Sequence, residues 1–115
     1  MSNDDSMPIV CRPSALTPNE RKRSQALRRE LASATQATLE LAEGYAFLFR
    51  ADVSLFQKVS EWISLERRCC PFLTFDLAWA PGDDIPSRLS VTGPVGTKAF
   101  MAAEMVGPGE DERCR

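Results

Sequence analysis

At 115 residues the chain suits one compact domain, and its 43% apolar content suffices to build a core. A net charge of −2 gives no bulk reason to expect a nucleic-acid or membrane-surface partner, and no apolar run reaches transmembrane length. Histidine is absent, which excludes Ser-His and Cys-His catalysis and removes the commonest nitrogen ligand of metals.

The opening residues, MSNDDSMPIV, are acidic and polar where a secretory leader is basic and then apolar, so a cytoplasmic protein is expected. In that reducing compartment the four cysteines (Cys11, Cys69, Cys70 and Cys114) are expected to be thiols rather than a disulfide framework. Residues 1–16 read as an extended arm, with Pro8 and Pro13 opposing regular helix. Ile9 and Val10 flank Cys11 with apolar surface, which favours the arm packing back on the domain.

The single domain is expected over residues 17–106. Thr17 is a natural N-cap, Pro18 fits the first helical position, and Glu20 completes a capping box. Leu27, Leu31, Ala34, Thr38 and Leu41 then follow at helical spacing, and Gly44 is the expected stop. So narrow a stripe must dock on the rest of the chain or on a second copy, which makes a homodimer through the first helix one reading of the protein. The basic run ERKRSQALRRE reads as a solvated face offset by Glu20 and Glu30, in preference to a nucleic-acid contact.

Residues 45–50 (YAFLFR) predict a strand. A second helix is expected from Ser54 as N-cap, with Gln57 in the capping-box position, to about Cys70, where Pro71 halts it. Strands are expected at residues 74–80 and 88–92, separated by the turn-rich PGDDIPS. TGPVGTK leads into a short last helix bearing Val95, Phe100, Ala103 and Met105, and lacks the full phosphate-loop pattern. Met101 and Met105 read as core, and residues 107–115 as a polar tail. The fold class is therefore α+β: a long N-terminal helix, then β-α-β-β-α. A crossover joins the first two strands and a hairpin the last two, giving a small three-stranded mixed sheet with helices on one face.

The chemistry concentrates in SEWISLERRCCPFLTF. On a helical wheel Leu55, Val59, Trp62 and Ile63 form one apolar stripe, and Glu66 falls near its centre. Cys69 and Cys70 lie three and four residues on, the spacings that bring side chains together. The thiols continue the buried face, and the glutamate is the intruder that needs a partner such as Arg50, Arg67 or backbone amides. Structural cysteines are the bland reading, since cysteine is among the most buried residues. Thiolates select soft ions, among them Zn(II), Cu(I), Hg(II) and trivalent arsenic. The candidate ligands are Cys69, Cys70 and Glu66, with Cys11 as a fourth if the arm folds back. Arg67 and Arg68 favour a thiolate while the helix C-terminus opposes one, so a strongly nucleophilic cysteine is not expected.

GYAFLF, ERRCCPF and TGPVGTKAF together resemble a family of small bacterial proteins that share E-R-x-C-C-P-F, G-Y-A-F and T-G-P-x-G-x-K-x-F segments over roughly residues 11–105. The resemblance implies that Glu66, Cys69, Cys70 and Pro71 form one unit, and it supplies no activity. Three functions are therefore weighed: a binder of a soft metal or metalloid ion, a thiol-dependent redox or transfer enzyme at the same place, and a homodimeric module with structural cysteines.

Overall fold

The computed structural model describes residues 8–82 and 84–104. Helix α1 (Pro18–Ala34) opens with the expected capping box. Thr17 Oγ1 accepts from the Glu20 amide at 3.1 Å, and Glu20 Oε1 accepts from the Thr17 amide at 2.9 Å. The helix is shorter than expected. Thr35–Leu41 is strand β1, and it forms a tight hairpin with β2 (Gly44–Phe49).

The residues TQATLEL satisfy two periodicities at once. Thr38 and Leu41 continue a helical stripe from Leu27 and Leu31, yet Ala37, Leu39 and Leu41 also alternate with Thr38 and Glu40. Pairing with an aromatic-rich neighbour over the length of the strand decides for β. Gly44 is thus a hairpin residue rather than a helix stop. A Cβ there would lie 1.9 Å from the Val91 carbonyl oxygen, so only glycine lets β2 approach β4 at that point.

Helix α2 (Val53–Cys69) starts one residue after its true cap. Asp52, not Ser54, is the N-cap, its Oδ1 accepting from the Ser54 and Leu55 amides at 2.8 and 3.3 Å. Strand β3 (Thr74–Ala78), strand β4 (Ser87–Thr92) and helix α3 (Thr97–Glu104) complete the described chain.

The sheet has four strands in the order β1-β2-β4-β3, and every neighbouring pair is antiparallel. This corrects the expected three-stranded mixed sheet. The crossover through α2 does connect two strands of like direction, but β4 is inserted between β2 and β3, so no parallel pair is hydrogen-bonded. The hairpin of β3 with β4 is as expected.

Strand register places Tyr45, Phe47, Phe49, Phe75, Leu89 and Val91 on one face. The helices cover that face: Trp62 of α2 meets Phe75 edge to face, and Lys98 of α3 lies over the Tyr45 ring. Leu27 of α1 is fully buried and Leu31 packs on the same core, so that stripe serves the chain's own interior. An apolar cavity of about 80 Å³ remains between α1, α2 and the sheet, lined in part by Leu31, Phe47, Val59 and Trp62.

Candidate thiol centre

Helix α2 delivers the site. Glu66 and Cys69 lie in its last turn, and Cys70 is its C-cap, donating its amide to the Glu66 carbonyl at 2.7 Å. Pro71 ends the helix there, as the sequence predicts. Glu66, Cys69 and Cys70 are all fully buried, so the continuation of the apolar face through both sulfurs is confirmed.

The N-terminal arm supplies the third sulfur. Residues 8–16 are no free extension. Pro13–Ala15 forms a short 3-10 helix, and Leu16 inserts into the core with 2% of its surface exposed. The Arg12 amide donates to the Cys69 carbonyl at 2.6 Å, which caps an otherwise open helix end. Arg68 Nη2 donates to the Ala15 carbonyl at 2.8 Å, and Arg21 Nη1 donates to the Pro13 and Leu16 carbonyls at 2.9 and 2.8 Å. These bonds fix the backbone around Cys11 independently of its sulfur.

The sulfurs of Cys11, Cys69 and Cys70 consequently lie within 4.8 Å of one another. Cys11 and Cys70 are paired as a disulfide, with Cα atoms 4.5 Å apart. This overturns the expectation of thiols alone. A disulfide between the adjacent Cys69 and Cys70 is disfavoured by their short Cα separation, and the folded-back arm offers Cys70 a partner without that restriction. Cys70 Sγ lies 3.5 Å from Glu66 Oε2. When Cys70 is reduced, its thiol can donate to the Glu66 carboxylate across this contact.

The electrostatics differ from the expectation at two arginines. Arg50 pairs with Asp52 at 3.1 Å, not with Glu66. Arg68 pairs with Glu20 at 2.9 Å and points away from the sulfurs to join α1 to α2. Its hydrogen bonds, aided by the Thr17 amide, hold the Glu20 carboxyl down from 4.5 to about 2. Arg68 is therefore a structural tie and not a thiolate activator.

Sequence reasoning missed Glu43. Its Oε1 accepts from the Gly96 and Lys98 amides at 3.2 and 3.3 Å, so the turn before α3 holds the chain's own carboxylate instead of a phosphate. Met101 is a fully buried core residue, while Met105, Cys114 and the tail lie outside the described residues. No helix among the described residues is long and apolar enough to cross a membrane. Comparison with protein families, with curated proteins and with solved structures finds no match to this chain.

Three sulfurs from two chain segments, two of them buried and the third half-buried, lie close enough together that they could hold a soft ion of low coordination number. Glu66 touches the set through Cys70. A tetrahedral zinc site would need a fourth ligand beyond the three sulfurs.

Proposed function

We propose that this is a small cytoplasmic protein that captures a thiophilic metal or metalloid ion. Reduced Cys11, Cys69 and Cys70 are the thiolate ligands, and Glu66 takes up the Cys70 proton as the ion binds. The observation that carries this reading is the convergence of three sulfurs within 4.8 Å, drawn from two segments far apart in sequence. The buried carboxylate beside Cys70 supports it, because metal capture by a thiol releases a proton that must leave through a nearby acceptor. Three sulfur donors favour Hg(II), trivalent arsenic and Cu(I) over Zn(II). The likeness to small bacterial proteins sharing the E-R-x-C-C-P-F segment is part of the same reading.

The test is titration of fully reduced protein, held anaerobically, with each of these four ions, followed by thiolate-to-metal charge-transfer absorption. Wild type is expected to bind one equivalent. Cys11→Ser, Cys69→Ser and Cys70→Ser should each weaken binding, and Glu66→Gln should shift its onset to higher pH. Equal, weak binding by wild type and all three cysteine variants ends the proposal.

A second reading, a thiol–disulfide exchange enzyme, draws on the Cys11–Cys70 disulfide. Its point of attack would be Cys11, which is partly exposed where Cys70 is sealed. Catalysed reduction of insulin by the reduced protein, lost in Cys11→Ser, would favour it.

A further inference from the structure

Two of the three sulfurs that would hold the ion are the two that form the disulfide. The same atoms cannot do both, so ion occupancy and oxidation compete for Cys11 and Cys70. We infer that the centre is a redox-gated ion site: oxidation of the Cys11–Cys70 pair expels the ion, and reduction restores the site. This rests on the ion-binding reading above and adds its regulation.

The chemistry balances with a low-molecular-weight disulfide, R–S–S–R, as the oxidant. The Cys11 thiolate attacks one sulfur of R–S–S–R, forming a mixed disulfide and releasing R–S⁻. The Cys70 thiolate then attacks the Cys11 sulfur of that mixed disulfide, forming the Cys11–Cys70 bond and releasing the second R–S⁻. Two electrons pass from the protein sulfurs to the oxidant, and the two R–S⁻ groups take protons from solvent. With Cys11 and Cys70 joined, the ion loses two of its three sulfur ligands and leaves. Cys11 is the entry point because it is partly exposed, whereas Cys70 has no exposed surface.

The architecture allows this cycle to run without unfolding. The arm is held by Leu16 in the core, by the Arg12 amide on Cys69, and by Arg21 and Arg68 on its carbonyls. None of these contacts involves a sulfur, so Cys11 stays beside Cys70 after the bond between them is cut. A tethered partner acts at high effective concentration, which favours both closure of the disulfide and completion of the ion site.

The experiment loads reduced, full-length protein with one equivalent of Hg(II) or, for easier exchange, Zn(II), and then adds oxidised glutathione. Ion release is read with a chromophoric chelator, and the disulfide by the loss of two hydrogens in the intact mass and by peptide mapping to Cys11 and Cys70. Release is expected in step with disulfide formation. Ion loading should in turn raise, at least tenfold, the oxidising power of the glutathione buffer needed to form the disulfide at equilibrium, because the coupling is reciprocal. Cys11→Ser, a change in the arm that leaves the buried cysteines in place, should keep weakened ion binding and lose release by oxidant. Oxidised wild type that binds the ion as tightly as reduced wild type overturns the gate and leaves the ion site standing. Reduced wild type that binds no ion overturns both.

Discussion

Glu66 and Gly44 set limits that no neighbouring residue can relax. Glu66 is a fully buried acid on an otherwise apolar helical face, and its position beside Cys70 was legible from the spacing of four residues within one helix. Gly44 was legible only as a breaker. Its real constraint is the Val91 carbonyl oxygen, 1.9 Å from where a Cβ would stand, which belongs to a strand 47 residues further along the chain. No local pattern carries that information. Gly44→Ala should therefore destabilise the protein by about 3 kcal/mol or more, at or beyond the usual cost of overpacking, because the obstacle is backbone and cannot rotate away. Urea unfolding measures it. An Ala variant within 1 kcal/mol of wild type would mean that β2 and β4 separate freely at this point.

Among the elements, the helix ends and the first strand separate what sequence could show from what it could not. The Thr17 capping box and the Pro71 stop depend on residues within four positions of each other, and both are as expected. Strand β1 depends on β2, so a helix-compatible stripe misled the local reading. At α2 the sequence points to Ser54 as the cap, and the structure places Asp52, two residues earlier, in that role. Asp52→Ala should cost about 1 kcal/mol while Ser54→Ala costs close to nothing, a contrast that thermal unfolding of the two variants resolves. One of the ties between α1 and α2, the Glu20–Arg68 pair, is electrostatic and pH-dependent. Glu20 has a folded value of about 2 against 4.5 when unfolded, so its contribution is complete above 4.5 and is lost as pH falls toward 2. Stability measured across that window should fall less steeply in Glu20→Gln than in wild type. Identical slopes would show that Arg68 and Glu20 do not hold each other in solution.

For the whole molecule, the decisive feature is that one disulfide joins residues 59 apart and encloses α1, the β1–β2 hairpin and all of α2. The sequence could propose the arm's return from the apolar Ile9 and Val10. It could not pair Cys11 with Cys70, because that pairing is a property of where the arm's carbonyls meet Arg21 and Arg68. Cross-linking over so long a loop restricts the unfolded chain, and in the chain-entropy picture a loop of this size is worth about 4 kcal/mol. Reduction should thus lower the free energy of unfolding by up to that amount while leaving the helix and strand content unchanged, since the arm has its own anchors. An ion held as proposed would close the same loop through the same two sulfurs and, so far as it binds the folded state more tightly than the unfolded chain, should return part of the lost stability to the reduced protein. Chemical denaturation of oxidised, reduced and ion-loaded reduced protein gives the three values. The expected order is oxidised and ion-loaded above reduced. An ion-loaded form no more stable than the reduced one would show that the ion does not bridge the arm to the end of α2.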